Sequence, residues 1–407
     1  MSSRVDPLNT IWRTAIPAEL WKIIVRDLSK ADLLNLCVSS KSWYTLFIPL
    51  YFESLHCLNK GSWEECKAAA NRAKGTSRTD FRQLVKKLVV HGTGNQRLSR
   101  LSNVIQHFSN MVTLELCKLS LNDDDIWIIA TKFRHLSTLS FQADKQVISD
   151  QSLLIIASQC KALAHLSIIC SDPGIFSGHG MAELALLPPL TSFSMVFKSK
   201  ELYFNNSYVY EIDEVVIFSS FLRGHARLCH LTIHWPFGMH EAIQTASNLL
   251  RDLVTLDLAD MINGKDLVAL ISNNIGLRKL SLHKVSLDIE ALIPVFKFRA
   301  LNLLDNLKFS GVCSSNGILL LLESLPRIRR LHFSLTTTMA FKVAFDQEKI
   351  SVLSSLCPLL ESVHIEIRND TWLKLIADQC PRLVTLEILG EDSEVSAKGI
   401  IHCIGVN

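Results

Sequence analysis

The stretch Leu253-Val254-Thr255-Leu256-Asp257-Leu258, followed by Leu277-Arg278-Lys279-Leu280-Ser281-Leu282, decides how this chain folds. Both hexapeptides follow Leu-x-x-Leu-x-apolar, and their central leucines lie 24 residues apart. The pattern returns at Met111-Leu114-Leu116, Leu136-Leu139-Phe141, Leu163-Leu166-Ile168 and Leu383-Leu386-Ile388. Alternation inside Leu-x-Leu sends one set of side chains into a core and the other to solvent, as a strand requires. Twelve strands are predicted, centred on Leu88, Leu114, Leu139, Leu166, Phe193, Leu231, Leu256, Leu280, Leu307, Leu331, Val363 and Leu386. Between them run segments of helical spacing, such as Asp150–Ala157 and Asp125–Ala130, the latter preceded by the good N-cap residues Asn122 and Asp123.

A strand and a helix recurring at this interval are the signature of leucine-rich repeats. The expected fold is α/β: a solenoid of parallel strands and helices, horseshoe-like, in which each unit buries its leucines only against its neighbours. Each buried leucine contributes about 1.5–3 kcal/mol. Three helices close on a cysteine just before the next strand, at Cys160, Cys357 and Cys380. Here the array resembles the cysteine-containing subfamily of leucine-rich repeats, which implies thiols packed between helix end and strand; a reactive thiol is the competing reading. The position three beyond the last strand leucine, Asn or Cys in that subfamily, is Leu119, Ser171, Met261, Val285 and Glu391, so the regular turn ladder is missing. Phe193 to Leu231 spans 38 residues, with the excess in Lys198–Val215, which carries Tyr203, Tyr208 and Tyr210. Insertions in such arrays form loops, often on the binding side, and tyrosines suit interfaces. The alternative is a surface excursion that packs its own aromatics. A milder insertion lies around Thr336–Glu348.

Composition excludes several classes of function. With 48% hydrophobic and 20% charged residues over 407, the chain is globular, and a net charge of +3 argues against nucleic acid or a membrane surface as partner. Met1–Thr10 lacks the apolar core of a secretory signal, and the longest apolar run, Ile318–Leu322, is far below the ~20 residues of a membrane span. Eleven cysteines with no Cys-x-x-Cys pair read as reduced thiols of a cytoplasmic or nuclear protein, without a disulfide frame or zinc site. Gly92-Thr93-Gly94 lacks the third glycine and lysine of a phosphate loop, and Asp123-Asp124-Asp125 sits where acids satisfy a helix start. No catalytic residue, cofactor or metal site is predicted.

Residues 1–57 do not follow the repeat. Ile16–Leu28 reads as an amphipathic helix with Pro17 in its first turn, and Ser29-x-x-Asp32 opens a second helix as a capping box. A third stretch, Trp43–Phe47, is stopped by Pro49. The ordered landmarks Ile16-Pro17-Ala18-Glu19-Leu20, Ile24, Leu28, Asp32-Leu33-Leu34, Leu36, Val38-Ser39 and Trp43 resemble an F-box, and Ile48–Leu55 is similar to the tail seen in many fungal members. The chain is thus identified as resembling fungal-type F-box proteins with C-terminal leucine-rich repeats: a three-helix F-box at 14–57, a helical linker at 58–81 and an array of about twelve repeats at 82–407. The resemblance implies docking onto a Skp-type adaptor and through it a cullin, as the substrate-recognition subunit of an SCF-type ubiquitin ligase acting on an unknown protein target. It makes Ile16, Pro17, Leu20, Ile24, Leu28, Leu36, Val38 and Trp43 candidates for adaptor contact. Pro17 and Trp43 are the stronger contact candidates, and Leu20 and Leu36 are equally suited to internal packing. The other readings are an F-box scaffold outside a ligase and a repeat module that senses a small molecule.

Between the strand leucines, the solvent-facing positions of the late repeats gather Lys279, Lys308, Arg330, His332 and His364, with His234 and His283 one step along. His332 and His364 occupy equivalent positions of consecutive strands, about 5 Å apart. The sharp reading is a cationic stripe, weakening as pH rises, that captures an acidic or phosphorylated target segment. The plain reading is a solvated sheet face. A metal site at the two histidines would lack a carboxylate or cysteine to complete it.

Overall fold

The computed structural model describes residues 20–57 (except 22–24, 26–27 and 40), 83–92, 105, 108–143 (except 120), 148–197 (except 171–174), 219–259 (except 235–239), 264–285, 292–297, 303–311, 320–334, 357–366, 378 and 380–389. The chain divides into two compact units, Met1–Gln142 and Ala143–Asn407. Among the described residues there are thirteen parallel strands, and within each unit they follow one another in sequence order. This is the open α/β leucine-rich-repeat solenoid that the spacing predicts. No helix among the described residues is long and apolar enough to cross a membrane.

The first unit opens with a helical turn, the Val25 N–H donating to the Trp21 carbonyl at 3.0 Å. Two helices follow, α1 (Lys30–Ser39) and α2 (Lys41–Glu53). The capping box forms: the Asp32 N–H donates to Ser29 Oγ at 3.2 Å, and the Ser29 N–H to the Asp32 carboxylate at 3.2 Å. Val25, Leu33, Cys37, Phe47 and Ile48 make the core. Pro49 does not stop the third helix, which runs on to Glu53. Proline inside a helix costs about 3 kcal/mol, and here Leu50, Tyr51 and Phe52 continue the packing beyond it. The chain then passes directly into β1 (Ser54–Cys57), paired in register with β2 (Lys87–His91). The sheet therefore starts inside the segment whose sequence resembles the F-box tail. Lys30 fastens the two parts, its Nζ donating to the Ser54 carbonyl and standing 5.7 Å from the Tyr51 ring centre.

The unit continues through β3 (Thr113–Cys117), α3 (Asp123–Lys132) and β4 (Thr138–Ala143), with Leu88, Leu114 and Leu139 in register. Asn122 caps α3 reciprocally with Asp125, which accounts for the acidic run at 123–125. Gly92 is explained by close approach. A side chain there would come within 2.5 Å of the Lys118 carbonyl, where Lys118 turns the chain at φ 54°.

The second unit holds α4 (Asp150–Gln159), β5 (His165–Cys170), α5 (Gly178–Glu183), β6 (Ser192–Phe197), β7 (His230–His234), α6 (His240–Leu249), β8 (Thr255–Ala259), α7 (Gly264–Ser272), β9 (Lys279–Val285), α8 (Ile293–Lys297) and β10 (Asn306–Gly311). It ends with β11 (Arg330–Ser334), β12 (Ser362–Glu366) and β13 (Thr385–Leu389). The anchors stack Leu166↔Phe193↔Leu231↔Leu256↔Leu280↔Leu307↔Leu331↔Val363↔Leu386. At most of the strands the carbonyl just ahead accepts two consecutive N–H groups of the next repeat; the Val254 carbonyl, for instance, takes Arg278 at 2.9 Å and Lys279 at 3.1 Å.

The helix-to-strand junctions hold the repeat together. Burial pushes the Cys160 and Cys357 thiols up to about 12 and Cys380 to about 11, so these are inert apolar plugs and the reactive reading fails. At two equivalent junctions the plug is polar. His225, fully buried, accepts the Leu190 N–H at Nδ1 (3.1 Å) and meets the Leu184 carbonyl at Nε2 (2.9 Å). Asn274 accepts the Leu253 N–H (2.9 Å) and donates to the Leu250 (3.1 Å) and Leu270 (2.7 Å) carbonyls. These two staples tie their repeats to the ones before them.

Candidate interaction surfaces

The three-helix segment presents two faces. Trp43 stacks on Phe47 at 5.0 Å with nearly parallel rings, and Trp21 meets both edge-on at 5.4 and 5.7 Å. The structure thus places Trp43, the stronger contact candidate in the sequence, against the core, together with Leu36. Leu20 moves the other way: it is 48% exposed. Val38, at 74%, is the most open of the group, and Leu28 is also exposed. Leu34 and Tyr44, which the sequence reading did not single out, join them outside. The signal for Leu34 was present in the Leu33-Leu34 doublet, since adjacent helix positions face apart and Leu34 shares a face with Val38 four residues on. Ile16, Pro17 and Ile24 lie outside the described residues, as do the 58–81 linker, both insertions and Tyr203, Tyr208 and Tyr210.

On the second unit, the residues named for the stripe stand in register on neighbouring strands. Lys308, His332 and His364 lie in one row across β10, β11 and β12. Lys279, Asn306 and Arg330 form the row beside it, with Lys279 and Arg330 two strands and so about 10 Å apart. The His332 and His364 rings are 5.1 Å apart. A carboxylate does adjoin this pair: Glu387 of β13 reaches His364 Nδ1 at 2.5 Å. Lys279, Lys308 and Arg330 make no ion pair among the described residues.

His332 is not a cation at neutral pH. Burial first, then the charges of Lys308, His364 and His283, lower it to about 4, against a smaller opposing pull from Glu387. The stripe therefore rests on Lys279, Lys308 and Arg330, and His332 brings no pH dependence to it in the neutral range. It does couple to stability. Unfolded, His332 takes up a proton near pH 6.5, so the folded state loses ground as pH falls from about 6.5 towards 4 and is unaffected above that. The buried imidazole of His225, also lowered by burial, acts in the same direction. Urea midpoints measured across this range should fall with pH, and His332→Gln should flatten part of the slope without changing the midpoint at pH 8.

A second group sits earlier on the same face. Asp257 Oδ1 on β8 lies 2.8 Å from His234 Nε2 on β7 and 3.3 Å from His283 Nε2 on β9. Burial alone would raise the Asp257 carboxyl; the hydrogen bonds and charges of the two histidines outweigh it and hold the group well below the usual carboxylate range. On the first unit, Lys87 and Glu115 pair at 2.6 Å. No nucleophile stands beside a base in any of these groups.

Among solved structures, the chain is similar to the crystal structure of the Rad7 and Elc1 complex in yeast, with TM-score 0.46 and 13% identity over 84% of this chain and 92% of that one. It is also similar to the leucine-rich repeat-containing protein LegL7 from Legionella pneumophila, with TM-score 0.36 and 10% identity over 87% and 96% of the two chains. A Bacteroides fragilis protein gives TM-score 0.39 and 10% identity over 70% and 74%. No protein-family model and no curated sequence matches the chain.

Proposed function

We propose that this protein is the substrate-recognition subunit of an SCF-type ubiquitin ligase in the cytoplasm or nucleus, its three-helix segment docking a Skp-type adaptor and its repeat face holding a protein target. One observation carries the reading beyond the motif: Leu20, Leu28, Leu34, Val38 and Tyr44 are exposed on a segment whose core is already filled by aromatic packing. Apolar surface left in water costs about 25 cal/mol per Å², and covering such side chains is what a partner would contribute. The protein forms no bond itself. Its contribution is to hold a target lysine near the ligase's reactive end.

For the target, the lysines and arginine of the late strands supply charge-assisted donors for an acidic or phosphorylated segment. Reversing Lys308 and Arg330 together to Glu removes two such contacts, each worth about 1.5–3 kcal/mol. Target capture should fall at least about a hundredfold while thermal unfolding stays the same, since neither residue contributes to the core. Unchanged capture with the fold intact would end the stripe. The proposal as a whole is tested by capture with the full-length chain: adaptor and cullin together support the ligase, adaptor without cullin reduces it to a scaffold, and neither removes it.

A further inference from the structure

We propose that His234, Asp257 and His283 form a binding site for a divalent transition-metal ion, zinc foremost, with one coordination position left for a ligand from outside the chain. The three residues come from successive strands. His234, Ala259 and His283 stand in register across β7, β8 and β9, and Asp257 lies two residues before Ala259 on the same face. Ala259 is the reason the histidines can converge: its methyl group fills little of the space between them. Both turn Nε2 towards Asp257 Oδ1, and the three ligand atoms all lie within 4.8 Å of one another. The rings themselves are 5.2 Å apart.

The distances fit a metal as well as a hydrogen-bonded triad. Tetrahedral ligands about 2.0–2.1 Å from an ion are about 3.3 Å from each other. The His283–Asp257 separation is 3.3 Å, longer than the roughly 2.7–3.2 Å of an ordinary N–H···O bond. The His234–Asp257 separation of 2.8 Å reaches that spacing with a shift of about half an ångström. Two imidazoles and one carboxylate select zinc, nickel, copper or iron over magnesium and calcium, which take oxygen ligands. All three side chains are about a fifth exposed, so one side of the site stays open to solvent. Three protein ligands with an open fourth position is the arrangement that binds an incoming group. A carboxylate or imidazole of a bound protein would suit it. This site does not depend on the adaptor reading.

The test uses the metal-stripped full-length chain with cobalt(II) and zinc(II) alone as probes. One equivalent of cobalt should give the visible absorption of a tetrahedral site with nitrogen and oxygen ligands, zinc should displace it, and either metal should raise the unfolding temperature. His283→Gln and Asp257→Asn should lose the band and the shift. Absence of the band in the wild-type protein, a thiolate-to-cobalt charge-transfer band in its place, or equal binding by wild type and variants would each overturn the site.

Discussion

Asn274→Leu is expected to destabilise the second unit by about 3–5 kcal/mol, one of the two largest effects that the structure predicts. Leucine is larger than asparagine and wholly apolar, so the site loses every hydrogen bond that the amide makes and is overpacked as well. Asn274 is 1% exposed and satisfies the Leu253 N–H and the Leu250 and Leu270 carbonyls. Each buried group stranded without a partner costs about 1–3 kcal/mol. Water reaching one of them brings the total below the sum. His225→Phe, which strands the Leu190 N–H and the Leu184 carbonyl, should cost about 2–4 kcal/mol on the same grounds. Cys160→Ala at the equivalent junction removes only a small apolar plug and should cost about 1–2 kcal/mol. Urea unfolding of the three variants gives the ranking directly. A loss below about 0.5 kcal/mol for Asn274→Leu would mean the junction rearranges and the staple is not needed.

The second large effect concerns the exposed apolar face of the helical segment. Leu20→Asp with Val38→Asp should weaken adaptor binding at least a thousandfold, about 4 kcal/mol. The variant forfeits two apolar contacts and places unpaired carboxylates in an interface that excludes water. The isolated protein should lose little stability, because Leu20 and Val38 are 48% and 74% exposed and lie outside the core. Trp43→Ala behaves differently. It removes a ring packed on both Trp21 and Phe47 and should cost about 3–5 kcal/mol of folding stability, so binding lost with that variant would report unfolding and not contact.

The strands were legible because their signal is local. Period-two alternation around a leucine needs no knowledge of the neighbouring repeat, and all twelve anchors fall in strands, in register with one another within each unit. What escaped was set by burial in three dimensions. Cys160, Cys357 and Cys380 were recognised as one junction, but Phe133, His225, Asn274 and Leu325 hold the same place, each offering a carbonyl to the N–H three residues on, and residues so different share no pattern that a sequence displays. Nothing in Trp43–Phe47 says that apolar residues beyond Pro49 will carry the helix to Glu53. β1 was hidden because Phe52-x-x-Leu55-x-Cys57, although it fits the relaxed spacing, falls where the sequence looks like the end of the helical motif.

The candidate sites were legible by position and not by orientation. The row of Lys308, His332 and His364 follows from counting along strands. That His332 is neutral follows only from what surrounds it. Asp257, His234 and His283 were each visible on the exposed side of their strands, but their convergence depends on ring rotamers and on the small Ala259 between them. In the helical segment, where most residues are apolar, no sequence rule separated the inward Trp43 from the outward Leu20.

The central claim is that the helical segment docks a Skp-type adaptor. A calorimetric titration of the adaptor into the full-length chain, repeated with the Leu20→Asp, Val38→Asp variant, tests it most directly. One-to-one binding by the wild-type chain, abolished in a variant that unfolds at the same temperature, is the predicted result; no binding by the wild type, or equal binding by both, would contradict it.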